Sequence, residues 1–200
     1  MKIIGSEYSP FVRMTRAVAI SLGLDFDLMD TGSFVNMSPE NKALIETHNP
    51  LMKVPVLLDG EKVVIDSRII ISYMIKRAQE QGKAIPFDVP LSDEVENLIT
   101  VINGINDAGV IRFIMGSTTD ISMDEGYMLR SLQRMKAGMD YLEHSDDLGG
   151  RFGLPELCLI CMLDWFNKRD VFDWSGYKRL GEIYAKYADQ PCIVQTRIPE

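Results

Sequence analysis

The chain is poor in the residues that build metal centres and disulfide scaffolds. Its 200 residues include three cysteines and two histidines. An odd number of cysteines without framework spacing points to a reducing compartment rather than a stapled fold. His48 and His144 stand apart from any ligand cluster, so no metal is expected. Long apolar runs are also missing. The longest, "LCLICML" (157–163), falls far short of the roughly 20 residues of a membrane-spanning helix. The apolar run after Lys2 is ended by Glu7, too soon for a signal-peptide core. The expectation is a cytoplasmic protein with no membrane partner. Positive charge is in deficit, with 21 basic residues against 29 acidic ones and a net charge of −8. That balance argues against nucleic acid as the main partner. A GxSxG elbow is absent too, and with it the signature of a serine hydrolase.

What is present is a foldable composition, 46% hydrophobic and 25% charged, on a chain long enough to bury a substantial core. The first eighty residues alternate between strand and helix signals. "KIIG" (2–5) reads as a strand, and "PFVRMTRAVAISLG" (10–23) as a helix capped by Ser9 and stopped by Gly23. "DFDLMD" (25–30) alternates as a strand does, and "PENKALIETHN" (39–49) suggests a short helix. "VPVLLDGEKVVID" (54–66) is a hairpin around Asp59-Gly60, and "SRIIISYMIKRAQ" (67–79) a helix with Ser67 as its N-cap. The order β-α-β-α-β-β-α predicts a mixed four-stranded sheet flanked by helices, the thioredoxin arrangement. Gly82, Pro86 and Pro90 mark residues 81–90 as a linker. Helical spacing then runs through 91–116, 122–144, 154–169 and 175–188. The expectation is therefore an α/β domain at 1–80, a linker at 81–90 and an all-helical domain at 91–200.

Three stretches carry a resemblance. "MKIIGSEYSPFVRMTRAVAISLGLDF" runs strand, Ser-Pro-aromatic-Val-Arg, helix. "NPLMKVPVLLDGEKVVIDSRIIISYM" (49–74) strings together Asn-Pro, Lys-Val-Pro, Asp-Gly, acidic-Ser and Tyr-aliphatic positions, and "YADQPCIVQTRIPE" (187–200) ends the chain. The chain thus resembles the cytosolic glutathione S-transferase superfamily, in particular bacterial members with a serine-type Ser-Pro-x-x-Arg motif. The resemblance implies a cis Val54-Pro55 bond that turns the Val54 backbone toward an extended peptide. It implies Lys53 near the glycyl carboxylate of glutathione, although Met52 stands where relatives often carry glycine. Asp66 and Ser67 suit an α-amino acid end, a carboxylate for the ammonium and a helix start for the carboxylate. Glutathione is thus implied as co-substrate.

The bound thiol then falls near Ser9. A free thiol has a pKa of about 8.5, and each unit of depression takes about 1.4 kcal/mol of thiolate stabilisation. A hydroxyl and a helix N-terminus are suited to supply it. Tyr8 is the alternative hydroxyl. The helix start carries no cysteine, which disfavours mixed-disulfide chemistry through the protein. The expected activity is thiolate attack on a hydrophobic electrophile, a detoxification reaction, with Tyr8, Phe11, Arg112 and Met115 facing that electrophile. The alternatives are a non-catalytic binding or regulatory protein of the stringent-starvation type, or a glutathione-dependent isomerase or peroxidase. The resemblance also implies a homodimer. Cys158 and Cys161 form a CxxC in an apolar helical stretch and read as packed core. The helix that contains them opens with Gly153-Leu154-Pro155-Glu156, where Glu156 is placed to reach back and cap.

Overall fold

The computed structural model describes residues 1–199. The chain forms two compact units, the first built from residues 1–87 and the segment from Gln190 onward, the second from Asp88–Asp189. In the first, β1 (Lys2–Ile4), α1 (Pro10–Ser21), β2 (Asp27–Met29), α2 (Pro39–His48), β3 (Val56–Asp59), β4 (Lys62–Ile65) and α3 (Ser67–Glu80) follow in order. The sheet runs β2-β1-β3-β4. β1 and β2 pair in parallel with Ile3 opposite Leu28, while β1 and β3 are antiparallel with Ile3 opposite Leu57. β3 and β4 form the hairpin, with Gly60 at a φ of 59° in its turn. This is the thioredoxin-like topology expected from the element order. Ile4, Ile45 and Val56 make a buried cluster joined by Met29, Met37, Leu44, Val54, Leu58 and Ile65.

The sequence reading assigned 91–200 to one helical domain. The structure instead returns α8 (Pro191–Val194) to the first unit, where it packs on α1. The reason is a buried charge. Arg13 of α1 is fully buried, and its Nη2 donates to the carbonyl of Ile193 at 3.4 Å. The last carbonyls of a helix lack intrahelical partners and suit a buried guanidinium. The irregular stretch after α3 is shared as well: Phe87 is buried and belongs to the first unit. A 3-10 turn at Phe34–Asn36 precedes α2 and has no apolar periodicity to betray it.

The second unit holds α4 (Asp93–Thr118), α5 (Gly126–Glu143), α6 (Leu154–Arg169) and α7 (Lys178–Tyr187). α6 is its core: Leu154 through Leu163 are all buried, which accounts for the apolar run at 157–163 and seats Cys158 and Cys161 inside. Glu156 reaches back as expected, accepting the N–H of Gly153 at 2.9 Å and that of Gly149 at 2.7 Å. α4 has the length and apolar content of a membrane span. Its Leu98, Ile99, Ile102 and Ile105 are buried in a helical unit where it packs on α5 and α6. At Gly138 an added Cβ would lie 2.6 Å from Ile105, so α4 and α5 approach more closely than any larger residue allows.

Candidate functional site

Three segments of the first unit meet at Gly5, directly after β1. A Cβ built there would stand 2.4 Å from Val12 Cγ2 and 3.2 Å from the Cβ of Val54. The strand end, the first turn of α1 and the residue before Pro55 are therefore packed on one another. Sequence reasoning did not single out Gly5, although a glycine just before a strand-to-helix turn is the available signal.

The loop into α1 is tightly knit. The Ser6 hydroxyl accepts the N–H of Tyr8 at 3.2 Å, and its carbonyl accepts that of Ser9 at 3.0 Å. Asp30 accepts the N–H of Glu7 at 3.1 Å, and Glu7 pairs with Arg16 at 3.2 Å. Ser9 is the N-cap of α1, as the sequence suggests: its Oγ accepts the N–H of Val12, over a long 3.4 Å. Accepting that bond leaves the hydroxyl's own proton, and among the described residues it has no acceptor. Tyr8 and Phe11 are both half-buried beside it.

Val54-Pro55 is cis, and β3 starts one residue later. Among the described residues the N–H and C=O of Val54 make no hydrogen bond. The approach to Val54 is clamped by Asn49, which is 3% exposed. Its side-chain amide donates to the carbonyl of Lys53 at 2.7 Å and accepts the N–H of Leu51 at 2.9 Å, while its carbonyl accepts the N–H of Met52 at 2.8 Å. In the sequence Asn49 ends the helix at 39–49 and opens the Asn-Pro motif; the structure adds that its side chain holds the turn leading to Val54. Lys53 itself is exposed.

At α3 the structure corrects one assignment. The N-cap is Asp66, with a φ of 74°, and its carboxylate accepts the N–H of Arg68 at 2.9 Å. Ser67 is the first helical residue instead. Aspartate caps at least as well as serine and stands outside the helical conformation, so it takes the place that the local sequence offered to both. Ser67 is thereby released: its hydroxyl and N–H make no hydrogen bond among the described residues. The result is a carboxylate beside an open pair of donors.

The second unit places Arg112 on α4 with its Nη1 donating to the carbonyls of Met123 at 2.9 Å and Met128 at 2.5 Å, so that it fastens the α4–α5 loop. Met115 is half-buried on the same helix. Among the described residues no three His, Cys, Asp or Glu side chains are grouped to hold a metal ion.

Residues 3–82 match the family model "Glutathione S-transferase, N-terminal domain". A GST-like protein of Escherichia coli K12, YibF, uncharacterized, is 31% identical over 86% of this chain and 84% of its own. The chain belongs to the glutathione S-transferase family. Glutathione S-transferase 1 of Dianthus caryophyllus is 26% identical over 82% of this chain and 78% of its own. The fold has a near match in the glutathione S-transferase of Methylobacillus flagellatus solved with glutathione bound, with a TM-score of 0.82, 23% identity and 99% of each chain covered. The likeness to named glutathione S-transferases supports a transferase-type protein at the level of the family.

Proposed function

We propose that this transferase binds glutathione in its first unit and ionises the bound thiol at Ser9 for attack on a hydrophobic electrophile. The observation that carries the reading is the hydroxyl of Ser9, which caps α1 and still holds an uncommitted proton. Ser67 takes the γ-glutamyl carboxylate on its N–H and hydroxyl, and Asp66 faces the ammonium. The open N–H and C=O of Val54 pair with the tripeptide backbone next to Pro55, and Lys53 meets the glycyl carboxylate.

Only a few per cent of a free thiol is ionised at pH 7. On binding, the thiol proton leaves to solvent, and the Ser9 hydroxyl donates to the sulfur alongside the N-terminal N–H groups of α1. Together these are suited to lower the thiol pKa by about one to two units. The thiolate sulfur then forms a C–S bond to the electrophilic carbon as the bond from that carbon to its leaving group breaks, which for an aryl halide releases halide. In the first unit, Tyr8 and Phe11, half-buried beside Ser9, carry the electrophile half of the proposal. Isomerisation or peroxide reduction would use the same thiolate.

A homodimer is part of the reading. The first unit carries an open groove of about 480 Å³ along β4 and α3, lined by Lys62, Val63, Val64, Ile69, Ser72, Tyr73 and Lys76. Val63 and Ile69 are left exposed there, a surface suited to a second copy. Light scattering after size exclusion would give twice the chain mass.

The central test is retention on immobilised glutathione, followed by a pH titration of thiolate absorbance in the complex. The expected result is binding with a thiol pKa below that of free glutathione. Binding without a lowered pKa and without conjugation of an aryl halide would instead indicate a non-catalytic protein on this fold.

A further inference from the structure

Among the described residues, three besides glycine hold a left-handed φ: Met52 at 54°, Asp66 at 74° and Asp170 at 50°. Two have an internal reason. Asp66 caps α3, and Asp170 closes α6, its N–H donating to the carbonyl of Phe166. Aspartate also tolerates that backbone region better than most residues. Met52 has neither justification. Its conformation is imposed by the Asn49 clamp, which holds the turn whatever side chain stands there. Its side chain is 65% exposed, so core burial does little to offset the strain of a Cβ at that φ. Glycine would fit the turn without strain. Folding alone therefore gives no reason for a methionine at this position.

The surroundings suggest what the side chain is for. Leu51 is 66% exposed, and Phe34 and Val35 of the 3-10 turn are 59% and 53% exposed. Met37, just after the 3-10 turn, and Val54, two residues after Met52, pack on one buried cluster. Lys53, proposed above for the glycyl carboxylate, follows Met52 directly. We infer that Met52 is a specificity-determining residue: it offers an apolar contact to groups carried on the carboxyl end of the thiol tripeptide. The site would then take glutathione whose glycyl carboxylate is masked as an ester or amide. This rests on the glutathione reading above. Masking removes a hydrated charge and adds methylenes, which a flexible thioether can cover.

The test is calorimetric titration of wild type, Met52→Gly and Met52→Leu with glutathione and with its glycyl monoethyl ester. The ester should bind Met52→Gly about three- to tenfold more weakly than wild type, the scale of one or two buried methylenes. Affinity for the free acid should change by less than about twofold, and Met52→Leu should keep the wild-type ratio. Met52→Gly should melt no lower than wild type, which separates lost contact from lost fold. An ester-to-acid ratio equal in wild type and Met52→Gly would overturn the inference and leave the glutathione reading standing. So would a Met52→Leu ratio that falls as far as that of glycine. Failure of both ligands to bind wild type would instead overturn the glutathione reading and take this inference with it.

Discussion

Two helix starts of the first unit, those of α1 and α3, solve the same problem in opposite ways. α1 is capped by a neutral hydroxyl over a long 3.4 Å, while α3 is capped by a carboxylate at 2.9 Å. At α1 one residue serves as both cap and candidate donor. At α3 the tasks are divided, with Asp66 holding the helix and Ser67 left open. The difference follows from the charge each end is proposed to meet. A carboxylate beside a forming thiolate would raise the thiol pKa, whereas beside an ammonium it is the right partner. A neutral cap thus suits the sulfur end and an anionic one the amino-acid end.

The largest way to break this arrangement is to separate the segments that carry it. Gly5→Ala forces a Cβ to 2.4 Å from Val12 and 3.2 Å from Val54, which must move apart. Overpacking of this kind costs typically about 1–3 kcal/mol. Glutathione binding and turnover should fall together, and calorimetric melting should drop by several degrees. Unchanged activity in Gly5→Ala would mean that the close approach does not hold the site.

The next effect falls on Ser9 and separates its two roles. Ser9→Ala loses the cap, about 1 kcal/mol, and the donor as well, so turnover near pH 6.5 should fall by about ten- to a hundredfold as the thiol pKa rises one to two units. Ser9→Asp keeps a cap and so should keep its melting temperature, yet it sets an anion against the thiolate. Its bound thiol should titrate at or above the free value, with turnover at least as low as in Ser9→Ala. If Ser9→Asp is as active as wild type, the hydroxyl is only a cap.

At α3 the effects are smaller and appear in binding. Ser67→Ala should weaken glutathione by about tenfold, the scale of one hydrogen bond to a charged group, with little change in melting. Asp66→Asn retains the cap but not the charge. Its affinity should fall a few-fold, with a weaker dependence on salt, while its stability stays near wild type. Asp66→Ala, which removes the cap, should melt lower than either, and a Ser67→Ala variant that loses as much stability as Asp66→Ala would contradict the division of tasks.

How much of this was legible beforehand differs by scale. The order of elements, the hairpin at Asp59-Gly60 and the cap at Ser9 rest on local rules and could be read directly from neighbouring residues. The shift of the cap from Ser67 to Asp66 could not, because both are good N-caps and only the backbone angle at Asp66 decides between them. The Asn49 clamp depends on a side chain folding back over four residues to Lys53, a turn geometry that the adjacent proline obscured. The return of α8 to the first unit depends on a contact between Arg13 and Ile193, 180 residues apart. Linear patterns carry little information about partners at that separation.

A third helix start supplies the control for the comparison. α7 in the second unit is closed by a charge from elsewhere: Glu143 of α5 accepts the N–H groups of Arg179 and Leu180, each at 3.0 Å. Such a filled terminus leaves those donors no ligand to take, and its effect should be on stability alone. Tyr177, just before the helix, reports on it. Burial, then the hydrogen bond and charge of Asp140, then the charge of Glu143 push its phenol up to about 12. The unfolded chain releases that proton near pH 10, while the folded chain holds it until about 12. The contribution to stability is therefore complete below pH 10 and is lost as the pH climbs through this window. Tyr177→Phe should flatten the alkaline decline in unfolding free energy and remove a late phenolate step at 295 nm. Its glutathione titration at pH 7 should overlay that of wild type. A loss of glutathione affinity in Tyr177→Phe would mean that a closed helix start also feeds the ligand site, and the contrast between open and closed termini would fail.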